Sequence, residues 1–286
     1  MQMNDCIAFA KRNFLCFFRD RSAVMFSLMT VFIVILLYLL FLRDMLIIDD
    51  SEGMPELMDA WVLAGLLGIV SVTVSAGSLQ TMIEDKTSSR YRDFMMTSMS
   101  SFRIAMGYIL STFAVGMTMS MITLIISVIY LSVTSCPVSA EGILMSILFM
   151  IPSALSGSII IYAVTSFLKS TAAYSGFFTI ISVLIGFLAG IYMPMGTMPE
   201  LMQIVGTLVP ATHMAAIFRH YLSGDALDSV FSGADPAVLS EFEADMGYTL
   251  SFGGFEFSIL TSLIYVLLVS AVFFLIAVYS VRKNRS

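Results

Sequence analysis

Six stretches of the chain contain no Asp, Glu, Lys or Arg: Ser22 to Leu42, Ala60 to Ile83, Ile104 to Ala140, Gly142 to Leu168, Ser170 to Pro199 and Phe257 to Val281. Each is long enough to cross a hydrocarbon core as a helix, which takes about 20 residues. Their apolar positions run on without alternating every second residue, which argues against barrel strands and for helices, since lipid leaves backbone groups no other partner than the helix itself. The pattern predicts transmembrane helices over 22–42, 60–83, 104–133, 142–168, 171–192 and 257–281. The stretch Leu201 to Phe218 is also free of charge, but it carries Gly206, Pro210 and His213 close behind the fifth span. It is read as a re-entrant or interfacial segment. The first span follows some twenty polar and aromatic residues and no small-x-small cleavage site follows it, so it is read as a retained helix rather than a secretory signal.

Charge gives the topology. Lys11, Arg12, Arg19 and Arg21 precede the first span; Lys86, Arg90, Arg92 and Arg103 lie between the second and third; Lys169 separates the fourth and fifth; Arg282, Lys283 and Arg285 follow the sixth. Of the 14 basic residues, only Arg43 and Arg219 fall on the other side. That side carries Asp44, Asp49, Asp50, Glu52, Glu56, Asp59, Glu141 and the acids from Glu200 to Glu256. The positive-inside rule then places the basic side and both termini in the cytoplasm of a multi-pass cell-membrane protein. A seventh full span would put the basic C-terminus outside. With 58% hydrophobic and 12% charged residues and a mean hydropathy of +0.94, a water-soluble fold is excluded, since soluble domains carry about 25% charged residues. The acidic pI of about 4.8 averages over this segregation.

Between the spans, residues 1–21 mix Ile7, Phe9, Phe14, Phe17 and Phe18 with basic residues, as suits a helix lying in the interface with membrane lipid; an ordinary basic flank is the plain alternative. Residues 84–103 form a charged loop that also holds Phe94, Met95, Met96 and Phe102, and either docks on another protein or is a solvated connection. Residues 193–256 form an external segment ending in an acidic insertion from Asp225 to Glu256.

Chemistry is sparse. The three cysteines Cys6, Cys16 and Cys136 form no disulfide or metal spacing. The carboxylates of the insertion match no calcium loop. His213 and His220 are seven residues apart and would share a helical face, but two histidines without a third ligand make a weak metal site, and an interfacial polar face is the simpler reading. The charge-free spans hold no acid or histidine, which disfavours an intramembrane hydrolase and an ion-driven carrier. Lys169-Ser170 and Lys86-Thr87 lack the glycines of a phosphate-binding loop. ATP and magnesium, if used, belong to another chain. Small residues such as Gly65, Gly68, Ser71, Ser153 and Gly157 serve close helix packing or line a path. The 23 methionines suit an adaptable apolar surface or ordinary lipid-facing bulk.

The run Ile83-Glu84-Asp85-Lys86 through Arg92-Asp93-Phe94, then Phe102 and Gly107-Tyr108, resembles the loop between helices two and three of type 2 ATP-binding cassette (ABC-2) permeases. Gly190-Ile191-Tyr192-Met193-Pro194, then Met198-Pro199, Pro210 and Arg219, is similar to that family's stretch after helix five. The resemblance implies an all-α integral membrane protein with six transmembrane helices, an N-terminal interfacial helix and a re-entrant external segment between helices five and six. It implies an exporter permease, not itself an enzyme, that pairs with a second copy or a sister permease and with ATP-binding cassette ATPase subunits, and no nucleic acid. In the family pattern Glu84, Asp85, Lys86, Arg90, Arg92, Asp93, Phe94 and Arg103 would couple to the ATPase, and Lys11, Arg12, Arg19 and Arg21 would lie on the interfacial helix. Tyr192, Met193, Pro194, Pro199 and Pro210 would form the external gate. Spans two and five would line the path of an amphiphilic drug, peptide or lipid-like substrate. The alternatives are a channel or carrier without an ATPase, and a membrane sensor or assembly factor whose acidic loop binds a partner.

Overall fold

The computed structural model describes residues 2–46, 52–88, 90–97 and 99–283. Asp49, Asp50 and Arg285 lie outside the described residues, as do the side chains of Asp44, Arg92, Arg282 and Lys283. The helices in chain order are α1 Gln2–Arg19, α2 Arg21–Leu37 with a π turn Tyr38–Leu42 and a short α3 Arg43–Leu46, α4 Met54–Ser78, α5 Gln80–Thr87, α6 Arg90–Met96, α7 Ser101–Val133, α8 Ala140–Ser166 and α9 Thr171–Leu188. A 3-10 turn Met195–Thr197 leads to α10 Glu200–Thr207, α11 Pro210–Leu222, α12 Gly224–Val230 and α13 Pro236–Asp245. A short antiparallel hairpin, β1 Leu250–Phe252 with β2 Phe255–Phe257, precedes α14 Ile259–Lys283.

The chain is an all-α integral membrane protein with six spans: α2 with its π turn, α4 continued by α5, α7, α8, α9 and α14. Polar caps set where the helices start. Asp20 accepts from the amides of Ser22 and Ala23 and so separates α1 from α2, while the Ser100, Ser139 and Ser170 hydroxyls accept from the first turns of α7, α8 and α9. Each cap satisfies an amide that would otherwise face lipid or headgroups unpaired.

Three boundaries differ from the sequence pattern by four residues or more, one of them the end of the second span, which α5 carries to Thr87 rather than residue 83. Helix α4 begins at Met54 rather than residue 60, with Pro55 in its first turn, and so takes Asp59 into the helix. There the carboxylate is 1% exposed and accepts from Tyr38 Oη (2.6 Å) and Tyr130 Oη (3.3 Å), with Arg43 Nε 3.3 Å away. The span closes over an acid because three other elements satisfy it, two with hydroxyl donors and one with the Arg43 guanidinium. Helix α9 stops at Leu188 rather than 192, because Gly190 takes a left-handed φ of 67° and the amides of Gly190 and Ile191 turn back onto Phe187 and Gly186. This is a glycine-closed helix end.

Helix α4 forms the axis: α7, α8 and α11 pack along it, and α2 and α9 lean on it more lightly. Its small residues permit this. A Cβ on Gly68 would come within 2.6 Å of the Ala215 backbone in α11. Gly68→Val is expected to lower stability by about 1–3 kcal/mol through overpacking. Thermal unfolding in detergent checks it; an unchanged midpoint would mean that α11 yields freely.

Helices α10 and α11 form a bent pair at 86° across Leu208 and Val209. Backbone at a break inside lipid must find partners within the protein. Tyr265 Oη donates to Leu208 O at 2.8 Å, His213 Nε2 lies 2.8 Å from Thr207 O, and Val209 N donates to Gly206 O. The pair is bent as a re-entrant loop or a broken span would be.

Candidate functional site

At the end of the bundle where the basic residues gather, α5 carries Asp85 beneath α1. Helix α1 turns Cys6, Phe9, Asn13 and Phe17 inward at helical spacing and lays them mainly on α7. Gly107 in α7 receives the Phe9 ring so closely that a Cβ there would sit 2.5 Å from it. This contact brings Arg12 over Asp85. The guanidinium approaches the carboxylate with both Nη atoms, at 2.5 and 3.0 Å, in a forked pair, the geometry for which arginine is suited. Tyr108 Oη of α7 donates to the same carboxylate at 2.8 Å, and Arg90 Nη1 of α6 stands 3.5 Å away. The Arg12 guanidinium also lies 5.3 Å from the centre of the Phe94 ring of α6, and Phe9 meets Phe94 and Tyr108 edge-on.

The side chain of Asp85 is fully buried, that of Arg12 31% exposed and that of Arg90 59% exposed. One carboxylate therefore joins α1, α5, α6 and α7, with its more exposed partners facing out. The hydrogen bond to Asp85 holds Arg12 above its ordinary pKa. The guanidinium stays charged at any physiological pH.

At the opposite end, Arg219 of α11 is fully buried. Its Nη2 donates to Gly190 O (2.8 Å) and Ala189 O (3.2 Å) at the end of α9, and its Nη1 to Gly247 O (3.3 Å) after α13. Its Cζ lies 4.3 Å from the centre of the Trp61 ring, and Trp61 Nε1 donates to Met246 O at 2.7 Å. A buried cation without a carboxylate is held here by carbonyls and an aromatic face. It pins the acidic insertion to the membrane helices.

A family model described as "ABC-2 family transporter protein" matches residues 47–279. The chain belongs to the ABC-2 transporter family. No curated protein matches it.

In this ABC-2 permease, of the loop residues assigned from sequence, Asp85, Arg90 and Phe94 come together with Arg12 of the interfacial helix. Glu84 is exposed and accepts from Gln80 at 2.9 Å, Lys86 donates to Ser166 O at the end of α8, Asp93 is exposed, and Arg103 is half-buried with its carbonyl facing Cys6. The side chain of Arg92 lies outside the described residues. Lys11, Arg19 and Arg21 are exposed and take no part in the cluster. Phe9, Asn13 and Tyr108 belong to it and were not singled out as site residues, although Phe9 was among the aromatic residues noted in residues 1–21 and Tyr108 among those that carry the resemblance.

Of the gate residues, Tyr192 is half-buried against Phe187 and Met193 is exposed, while Pro194, Pro199 and Pro210 start the 3-10 turn, α10 and α11. The three prolines act as helix starters, where a missing amide costs nothing. The histidine pair does not form: His213 is buried with both ring nitrogens engaged, by Thr207 O and Ser262, whereas His220 is exposed. Span two, expected with span five to line a path, is mostly buried. It is enclosed within the chain, and at the basic end only Thr73, Gly77 and Gln80 reach a hollow of about 150 Å³ flanked by Phe17 and Phe26 on one side and Phe178 on the other. Toward the acidic end, α2 and α9 border a groove of about 470 Å³ with Ile33, Leu37, Phe187 and Tyr192.

Proposed function

We propose that this ABC transporter permease subunit is the membrane half of an exporter for an amphiphilic drug, peptide or lipid-like substrate, driven by separate ATPase subunits that bind the ATP and magnesium. The basic end faces the cytoplasm, and the ATPase docks on α6 and the exposed flank of α1. The observation that carries this reading is the Asp85 cluster, in which a short exposed helix is tied to a membrane span through one buried carboxylate. Force applied to α6 passes through Arg90 and Phe94 to Arg12 and Asp85, and from there to α4 and α7.

Those two helices move as one body. Asp85 bonds Tyr108 near one end of the pair and Asp59 bonds Tyr130 near the other. Span two is thus clipped to span three at both ends, about 33–39 Å apart at a 1.5 Å rise per residue, and a push at the basic end reaches the bent pair packed on α4. A second permease copy, or a sister permease, faces the α2–α9 groove, and the substrate moves between the two halves by alternating access. The exposed apolar residues Phe32, Ile33 and Leu36 of α2 and Val183 and Leu184 of α9 suit that contact.

The test is a mild-detergent pull-down of the tagged protein with mass spectrometry of what co-elutes. A stoichiometric chain carrying a Gly-x-x-x-x-Gly-Lys-Ser/Thr loop is expected. Arg90→Glu removes a partly exposed cation and sets a like charge beside Asp85, so it should lower stability by about 1 kcal/mol, leave the chain inserted and release the ATPase. Reproducible absence of an ATPase from the folded wild-type protein would sink the reading in favour of a channel or a sensor.

A further inference from the structure

Beneath the bend between α10 and α11 lies a cavity of about 260 Å³. Its floor is Ser71 of α4, Ser153 and Gly157 of α8 and Ile185 of α9, and its roof is the break from Leu208 to Ala211. Its rim is formed by Ile181 of α9 and by Val269 and Phe273 of α14, all partly exposed. Helix α9 packs on α4, α5 and α10, and α14 packs on α7, α8 and α11, so the two helices leave a slot between them. The slot opens midway along α14, beside the apolar exposed residues Ile180, Leu268 and Val272. The rim is therefore continuous with the lipid-facing surface.

The interior offers little to water, which needs two to four polar partners. Ser71 and Ser153 bond each other at 2.8 Å. At the roof, Leu208 O is taken by Tyr265, Val209 N bonds Gly206 O, and Pro210 has no amide hydrogen. A lipid headgroup would find no charge to meet, whereas the volume is well above the roughly 150 Å³ of an apolar cavity that takes up benzene. We propose that this cavity binds one acyl chain of a bilayer phospholipid, which enters through the slot between α9 and α14 and supports the bend from below. The proposal does not depend on the direction or substrate of transport.

The test places the full chain in nanodiscs of phosphatidylcholine whose acyl chain carries a diazirine near its end, followed by irradiation and mapping of adducts by mass spectrometry. Ile185, 3% exposed, is the discriminating position, because lipid on the outer surface does not reach it. Adducts on Ile185 and Phe273 are expected alongside those on the outward Leu268 and Leu275. In Ser156→Leu, which fills the cavity from α8, the inner adducts should fall at least fivefold and the outer ones should persist. Ile160→Trp at the rim serves if Ser156→Leu does not fold. Labelling confined to Leu268, Leu275 and other outward side chains in the wild-type protein overturns the proposal, as does inner labelling that filling leaves unchanged.

Discussion

Asp85→Ala is expected to abolish substrate movement by the assembled transporter while ATP hydrolysis continues. The alanine removes the acceptor for Arg12, Tyr108 and Arg90 at once. Loss of one partner from a buried ion pair costs about 3–5 kcal/mol. Arg12 is partly exposed here and regains water, so the larger share falls on the buried Tyr108 hydroxyl, at about 1–3 kcal/mol for an unpaired buried group. A total of about 3 kcal/mol is less than the roughly 5–15 kcal/mol stability of a typical folded protein, so the chain stays folded while α6 and α1 lose their tie to α5. Asp85→Asn separates the two effects. It keeps an acceptor for Tyr108 and loses the charge that draws Arg12, so it should lose less stability than Asp85→Ala and still uncouple. The measurement is substrate moved per ATP hydrolysed in proteoliposomes holding the permease and its ATPase. Wild-type stoichiometry in both variants would remove Asp85 from the coupling route.

The same cluster shows what could be read from sequence and what could not. The spans were legible because lipid forbids uncompensated charge, so charge-free runs of sufficient length leave few other structures open. The exceptions are residues whose charge is hydrogen-bonded from far along the chain. Asp59 looked like the last acid of an external loop; Tyr38 and Tyr130, 21 and 71 residues away, bring it inside. Arg219 looked like a loop cation for the same reason, and its carbonyl partners lie 28 to 30 residues from it. No local pattern carries such pairings.

In the basic loop the residue types were legible and the roles were not. Glu84, Asp85 and Lys86 are neighbours on one short helix, and helical geometry sends successive residues to different faces: Glu84 to the surface, Asp85 into the cluster and Lys86 to the end of α8. The resemblance named the segment, but only packing against α1 and α7 selects Asp85 within it. The bent pair α10–α11 was legible from Pro210 and Gly206, whereas the groups that satisfy its backbone, Tyr265 and His213, come from packing. His213 lies within the re-entrant segment that the sequence pattern marked, yet its role there is to bond Thr207 O.

Arg219→Met should be the most destabilising single change at the acidic end, by about 3 kcal/mol, since buried carbonyls left without a donor cost about 1–3 kcal/mol each and relief of the buried charge offsets part of that. Two terms oppose each other. Methionine removes a cation whose burial is unfavourable and keeps much of the side-chain volume. Against that, Ala189 O and Gly190 O lose their donors, and a closing helix has carbonyls that nothing else in the helix can satisfy. Gly247 O and the Trp61 face lose theirs as well. The loss of several contacts outweighs the desolvation relieved, because the site is enclosed and water cannot replace the guanidinium. Arg219→Lys keeps the charge but has no planar fork, so it reaches one carbonyl group at best and should recover only part of the loss. Thermal unfolding gives the order, with wild type above Arg219→Lys and Arg219→Met lowest. Hydrogen exchange at the amides of residues 246–248 locates the effect, since these residues hold the acidic insertion to Trp61 and Arg219. Protection there that survives in Arg219→Met would mean that buried Tyr248 and Leu250 anchor the insertion without the guanidinium, and that the arginine serves only to close α9.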